Sequence, residues 1–434
     1  MEWSYYNELI TGVNGTKYLF NCRTSNWIEF DRNIANPAID LSTNPEIIKY
    51  LNPNLYKILI NEKFIVPSTL IETQECFQEI IDLLDSKKSI KITINPTLDC
   101  NLKCWYCYET LFPKSSMSRE TIESICKYLT ILINSNQTEF LHISFFGGEP
   151  LIRYQSVIRH IIKEILALVA KTKINIHFSF TTNGICLNQI VVNDLICLVG
   201  KDNISIQTAI DGNRILHNKV KYLKNGYGSY DIVKRNIEYA VKNGIRVTLR
   251  CNYTLSNISS YLDVVKDFEQ FHHYPNLRFS FHKVWQEKDS DELHHKIQTI
   301  KDLLCHYSIN SNLKTFWSVG FDKCYGDYRH NYIINYNGEI FKCTARDFNE
   351  TNRIGYLKPD GQIQFTELGM HRQNKIFSSQ CMYCRRLPIC PICSQIKFES
   401  KDNTCPIKID NKCISANIRT YFSSISNITA KEYE

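Results

Sequence analysis

An α/β fold of parallel strands joined by helical crossovers is what this 434-residue sequence predicts. Three observations point to it. Strand-like segments with alternating β-branched residues recur six times between residues 91 and 283, with helical periodicity between them. A tight group of cysteines directly follows the first of these strands, where α/β folds place ligand sites. After about residue 315 the alternation stops, and Cys, Gly and Pro take over.

The elements follow in order. Lys91–Thr97 reads as a strand, and Ser118 caps a helix that runs to about Asn134, with Glu120 favourable in its first turn. Leu141–Phe146 is the second strand. Val157, Ile158, Ile161, Ile162, Ile165, Leu166 and Val169 then keep helical spacing. Ile174–Thr181, a helix over Asn188–Val199, and Asn203–Ile210 continue the pattern. A helix over Tyr230–Asn243 has Ser229 as its expected N-cap and Gly244 at C′. Arg246–Tyr253 and Leu277–Lys283 are the last strands, giving either a partial barrel or an open sheet. Before this body, KYLFNC and NWIEF suggest a hairpin, followed by helical segments at Glu46–Leu51 and Asn54–Asn61.

Composition narrows the function. A 43% hydrophobic, 22% charged chain is globular and long enough for about two or three domains. No apolar run is long enough to span a bilayer, and MEWSYYNELITG lacks the basic and apolar regions of a signal peptide, so a cytoplasmic protein is expected. The net charge of +7 is spread among acids without basic runs, which implies no nucleic-acid partner. In a reducing compartment, eighteen cysteines point to metal or redox chemistry rather than disulfides. Seven of them (Cys22, Cys76, Cys126, Cys186, Cys197, Cys251 and Cys305) are scattered and read as small buried apolar residues.

Cys100, Cys104 and Cys107 form C-x3-C-x2-C. Three thiolates hold three irons of a [4Fe–4S] cluster and leave the fourth open for catalysis; a zinc site completed by another residue is the alternative. The surrounding residues, Cys100-Asn-Leu-Lys-Cys104-Trp-Tyr-Cys107, resemble the CNLxCxYC signature of the radical S-adenosylmethionine (SAM) superfamily. Gly147-Gly148-Glu149-Pro150, after the second strand, is similar to that family's GGEP motif. Two glycines allow close backbone approach, and a carboxylate can accept from the ammonium of SAM. Thr182-Asn183-Gly184 resembles the TNG stretch after the third strand. Ala209-Ile210-Asp211-Gly212 with His217 resembles SIDG…H after the fourth, with Ala209 replacing the family's serine and Lys221 as the later basic residue.

The resemblance implies a partial (β/α)6 barrel and a cofactor site that includes Gly147, Gly148, Glu149, Pro150, Thr182, Asn183 and Asp211. It implies reductive cleavage of SAM to a 5′-deoxyadenosyl radical, with a flavodoxin or ferredoxin as reductant; it does not name a catalytic base.

Eight cysteines lie downstream: Cys324 and Cys343 with Gly338 between them, then Cys381-x2-Cys384-x5-Cys390-x2-Cys393, Cys405 and Cys413. They suffice for two Cys₄ clusters, one full cluster and one open, or a pair of structural zincs. The pattern resembles a SPASM domain, except that its last short spacing is two residues rather than three. By that resemblance Cys324, Cys343 and Cys393 serve a nearer auxiliary cluster, and Cys381, Cys384, Cys390 and Cys413 a distal one. Cys405 either completes the nearer cluster or is spare. Three [4Fe–4S] clusters are thus expected.

The expected domains are a winged-helix-like peptide-recognition domain over 1–88, the barrel over 89–312 and the SPASM domain over 313–434. Residues 1–88 resemble the N-terminal region of peptide maturases, which implies a precursor peptide with a leader as substrate and its crosslinking or other side-chain modification. An anaerobic sulfatase maturase making formylglycine is the alternative. Those enzymes carry Asp after the cysteine matching Cys343, whereas Thr344 stands here and Asp347 reads as a solvated loop residue. An inactive iron–sulfur electron-transfer scaffold is the non-enzymatic alternative.

Overall fold

The computed structural model describes residues 1–11, 17–30, 44–135, 137–223, 225–313, 323–374, 377, 379–390 and 393–400. Cys405 and Cys413 lie outside the described residues. The described residues group into two compact units, one from segments within 1–86, 316–329 and 375–434, the other from 87–315 and 330–374.

The first unit opens with β1 (Glu2–Trp3), β2 (Asn7–Thr11), β3 (Lys17–Asn21) and β4 (Trp27–Phe30), then α1 (Glu46–Leu51), α2 (Pro53–Asn61), β5 (Ile65–Val66) and α3 (Thr69–Asp85). β2, β3 and β4 form an antiparallel meander, with Glu8 opposite Phe20 and Leu19 opposite Ile28. β3 and β4 are the expected hairpin; β2 is additional, and Asn14-Gly15 between β2 and β3 in the sequence is a hairpin signal. The core of this unit joins both ends of the chain. Tyr6, Phe20, Cys22, Cys76 and Ile80 pack with Cys381, Leu387 and Ile389. The buried Arg23 is held by Glu79 at 2.6 Å and Glu75 at 3.3 Å.

The second unit carries the predicted alternation. It runs β6 (Ser89–Ile94), α4 (Arg119–Asn134), β7 (Phe140–Phe145), α5 (Arg159–Val169), β8 (Asn175–Thr182), α6 (Gln189–Val199), β9 (Ile204–Ile210), α7 (Arg214–Val220), α8 (Tyr230–Lys242), β10 (Arg246–Tyr253), α9 (Tyr261–Asp267), β11 (Leu277–Lys283) and α10 (Asp291–His306). β6 to β11 lie side by side in chain order, all parallel. Side-chain alternation explains why each strand stays in register. Ile90, Ile92, Ile94, Leu141, Ile143 and Phe145 join helix residues such as Ile125, Leu129 and Ile161 in one buried core.

The opposite face is polar. His142 Nε2 lies 2.7 Å from Ser179 Oγ, and His177 Nε2 lies 2.8 Å from Ser205 Oγ. Burial pushes these imidazoles down, to about 3 and about 4, so both stay neutral at pH 7.

Helix starts follow local chemistry. Ser118, Asn188, Asn213 and Ser290 each accept from the backbone N–H three residues on. Ser229 does not cap its helix as expected; its hydroxyl donates to the Lys221 carbonyl at 2.7 Å instead. Gly244 takes the left-handed C′ conformation, φ 82°. The helix after β7 is preceded by a 3₁₀ turn, Pro150–Arg153, and a π turn, Tyr154–Ile158. The alternation also has a sequel. β12 (Tyr332–Ile334) adds in parallel to β6, and β13 (Glu339–Phe341), β14 (Gly355–Leu357) and β15 (Ile363–Phe365) extend the sheet antiparallel to ten strands, before α11 (Glu367–Asn374). No described helix is long and apolar enough to cross a membrane.

Phe145 is buried on β7, its ring centroid 5.2 Å from Phe180 and 6.5 Å from Phe178. Phe145→Ala should lower unfolding stability by about 3–5 kcal/mol in urea melts, because the flanking rings cannot close the space.

Candidate functional site

The loop after β6 is tied shut at its base. Leu98 N donates to Ser115 Oγ at 2.9 Å, Phe112 N to the Leu98 carbonyl at 2.9 Å, and Lys114 N to Asp99 Oδ2 at 3.0 Å. Within it Cys100 and Cys104 are half-buried and Cys107 is exposed. Cys107 N donates to the Cys104 carbonyl at 3.1 Å, while Leu102 N approaches Cys100 Sγ at 3.4 Å and Asn183 Nδ2 approaches it at 3.9 Å. Burial pushes the Cys100 thiol up to about 11 and raises Cys104 and Cys107 as well. Binding a metal here must therefore release thiol protons.

Gly147 and Gly148 form the seat of this loop. A Cβ on Gly147 would stand 2.4 Å from the Thr97 carbonyl oxygen, and one on Gly148 2.3 Å from that of Asp99. Gly148 N donates to Thr97 O at 3.2 Å and Glu149 N to Asp99 O at 2.8 Å. The Glu149 carboxylate is fully buried. It accepts from Leu151 N at 3.0 Å, Thr182 Oγ1 at 2.7 Å and Asn183 N at 2.6 Å. Burial raises its pKa while these donors oppose the rise. The carboxylate thus staples the ends of β7 and β8 together; to bind an ammonium as well, it would have to share oxygens already in use. Pro150, also buried, begins the turn that follows.

At the end of β9, Asp211 gathers a buried network. Tyr106 Oη, between Cys104 and Cys107, donates within 2.8 Å of both carboxylate oxygens. Asn252 Nδ2 donates at 3.2 Å, and Lys221 Nζ lies 3.6 Å away. Asp211 N meets His217 Nδ1 at 3.2 Å, and His217 Nε2 meets Ser229 Oγ at 3.0 Å. Burial alone would lower Lys221, but Asp211, Tyr106 and Cys104 hold it well above its ordinary value, as a cation. Tyr106, Asn252 and Ser229 were not expected in the site; only the strand-end position of Asn252 hinted at a role. A cavity of about 180 Å³ opens here, lined by Trp105, Tyr106, Asp211, Asn252, Thr254 and Val284.

Beyond the third cysteine, Tyr108 stacks on Trp285 with centroids 4.9 Å apart. Both carboxylate oxygens of Glu109 are closed to solvent and have no hydrogen-bond partner. Burial, with Asp347 nearby, pushes Glu109 up to about 9. Asp347 is exposed, as expected, and accepts from Thr110 Oγ1 at 3.1 Å.

The downstream cysteines divide between the units. Cys343, whose Sγ accepts from Ala345 N at 3.3 Å, belongs to the barrel unit. In the other unit Cys324 and Cys393 act on each other, which raises the Cys324 thiol and lowers that of Cys393. Cys381 is buried with Lys397 Nζ 3.6 Å from its sulfur, and Cys384 N and Cys390 N donate to the carbonyls of Cys381 and Leu387. Of the scattered cysteines, Cys22, Cys76 and Cys251 are buried as expected, Cys126 and Cys186 are partly so, and Cys197 and Cys305 are exposed.

Among the described residues no three His, Cys, Asp or Glu side chains converge on a single ion. An iron–sulfur cube does not require that, because each thiolate binds a different iron. Three thiols from one tied loop, with an amide N–H beside the Cys100 sulfur and the Gly147-Gly148 backbone against the loop, fit such a group.

A parallel partial barrel with this loop at the end of its first strand defines a radical SAM domain, and residues 94–265 match the Radical SAM superfamily. The chain is 22% identical over 381 residues to a cysteine-type anaerobic sulfatase-maturating enzyme of Clostridium novyi (strain NT), covering 79% of this chain and 97% of that protein. The solved structure of anSMEcpe with AdoMet and the Cp18Cys peptide superposes with a TM-score of 0.55 at 16% identity, over 80% of this chain and 99% of that one. Streptococcus suis SuiB bound to S-adenosylmethionine gives 0.51 at 18% identity, over 95% and 100%. SuiB bound to precursor peptide SuiA gives 0.50 at 18%, over 93% and 97%. These likenesses establish the fold. The likeness to the Radical SAM superfamily lies in residues 94–265, and that family implies SAM and a [4Fe–4S] cluster.

Gly148→Ala should force the Asp99 backbone away, lowering stability by about 1–3 kcal/mol in urea melts and speeding amide exchange across residues 98–114. Unchanged exchange in that loop would refute the seating role.

Proposed function

We propose that the chain is a radical SAM maturase that takes a hydrogen atom from a ribosomally made precursor peptide and installs a crosslink or other side-chain change. The observation that carries this reading is the Cys100–Cys107 loop, seated on Gly147-Gly148 and tied through Tyr106 to Asp211 beside an open cavity.

In this reading Cys100, Cys104 and Cys107 hold a [4Fe–4S] cluster, which with SAM on its open iron supplies a 5′-deoxyadenosyl radical when a flavodoxin or ferredoxin delivers an electron. Gly147, Gly148, Glu149, Pro150, Thr182, Asn183 and Asp211 shape the cofactor's seat. The Glu149 staple fixes the strand ends, and the buried Lys221 offers a positive charge beside Asp211. Ala209 brings no hydroxyl, so Tyr106 and Asn252 are the polar groups at that edge. The downstream cysteines hold auxiliary clusters, for three in all. The first unit takes up a leader segment by strand addition to its small sheet, where β2 and β4 are the outer strands.

Peptides support the substrate class, since SuiB is known with precursor peptide SuiA and anSMEcpe with the Cp18Cys peptide. The sulfatase-maturase reading has its own support in the Clostridium novyi relative. Thr344 after Cys343, and an Asp347 that faces solvent and Thr110, favour the first.

Anaerobic reconstitution should yield about twelve irons per chain, falling by about four when Cys100, Cys104 and Cys107 are all replaced by Ala, with loss of 5′-deoxyadenosine release. About two zincs and no visible colour would overturn the reading. Co-expression with short neighbouring open reading frames should give a peptide that has lost a hydrogen pair. Formylglycine in a sulfatase peptide, with every neighbouring peptide unchanged, would shift the assignment to the sulfatase class.

A further inference from the structure

Among the described residues, Glu109 is a carboxylate at the barrel mouth without a hydrogen-bond partner. Glu149 has three donors and Asp211 has Tyr106, Asn252 and Lys221. Neither oxygen of Glu109 is hydrogen-bonded, and neither reaches solvent. Asp347, tied to the neighbouring Thr110, is a second acid close by, and no basic side chain among the described residues hydrogen-bonds to Glu109. Arg250 lies near Tyr108, and its Nε is engaged by Asn252 Oδ1 at 2.8 Å. A buried carboxyl group without a partner costs roughly 1–3 kcal/mol, which a donor brought by a ligand would recover.

The surroundings indicate what completes it. Tyr108 and Trp285 stack at 4.9 Å with an interplanar angle of 17°, and they are 38% and 62% exposed, which leaves part of an aromatic platform open beside Glu109. Exposed aromatic faces attract cations, and two carboxylates nearby add to that attraction. Thr110 holds Asp347 in place at 3.1 Å, so the second acid is positioned rather than loose.

We propose that Glu109, with Asp347 and the Tyr108–Trp285 stack, is the receptor for a cationic side chain, Lys or Arg, of the substrate peptide. This rests on the maturase reading above and assigns it a specificity-determining residue. The basic side chain lies across the aromatic pair and its nitrogen donates to Glu109, fixing which stretch of peptide is presented to the cavity beside Tyr106. A hydrophobic or acidic side chain at that place leaves Glu109 unpaired and is disfavoured.

The test uses the anaerobic, cluster-loaded, SAM-bound protein. The probes are two fluorescein-labelled synthetic peptides that differ only in one central residue, Lys or norleucine, and binding is read by anisotropy. The expected result is that the Lys peptide binds wild type at least about tenfold tighter. Glu109→Gln should bring the two within about twofold of each other, and Glu109→Asp should restore part of the preference. Equal binding of both peptides to wild type, including no binding of either, overturns the proposal. So does a Lys preference that survives Glu109→Gln. If Glu109→Gln fails to load iron, the wild-type comparison alone decides. Release of 5′-deoxyadenosine on reduction is measured on the same sample: its absence would sink the maturase reading, whereas its presence with no Lys preference would sink only the role of Glu109.

Discussion

The site depends on the absence of two side chains. Gly147 and Gly148 let the end of β7 press against the carbonyls of Thr97 and Asp99, at a separation that any Cβ would violate by more than half an ångström. This contact converts a cysteine loop that follows the strand into one with a fixed position over the sheet. Glu149 then turns its buried charge inward and fastens β8 to the same point. Tyr106 reaches the other way, from inside the cysteine motif to Asp211 on β9. Three successive strand ends are thereby set around one loop. The thiols sit where burial disfavours their ionised form, which a bound metal would reverse.

Much of this was legible because the six barrel strands repeat one simple pattern. Apolar residues at every second position of β6 and β7 mark a face packed under helices, and Ser118 and Asn188 mark helix starts by the chemistry of their side chains. Ser229 shows where that logic fails. A serine before a helical run caps it only if its oxygen is free to accept from the helix, and here that hydroxyl donates to the Lys221 carbonyl while its oxygen faces His217 Nε2 at 3.0 Å. β12 to β15 were hidden because each strand has only three residues, too short for alternation to register.

The candidate site was legible in its motifs and less so in its roles. Sequence alone suggests Glu149 as an acceptor for a cofactor's ammonium, and the fold adds three donors from Leu151, Thr182 and Asn183 that no local pattern announces. Asn252 and Tyr106 belong to the Asp211 network through contacts more than 40 and 100 residues apart in sequence, which no local pattern encodes. Glu109, two residues past Cys107, looks like an ordinary loop acid in sequence, and its isolation emerges only when the surrounding side chains are placed. In the first unit, packing of Phe20 and Cys22 with Cys381 and Leu387 unites segments that composition alone assigns to opposite ends of the chain.

The central claim is that the seated cysteine loop presents an iron with room for the SAM sulfonium cofactor. Electron paramagnetic resonance of the anaerobic, dithionite-reduced protein, recorded before and after adding SAM, tests it most directly. A reduced iron–sulfur signal that changes shape when SAM is added, and loses that response when Cys104 is replaced by Ala, is the predicted result. A signal indifferent to SAM, or no reducible cluster in protein that has bound iron and sulfide, would contradict the account.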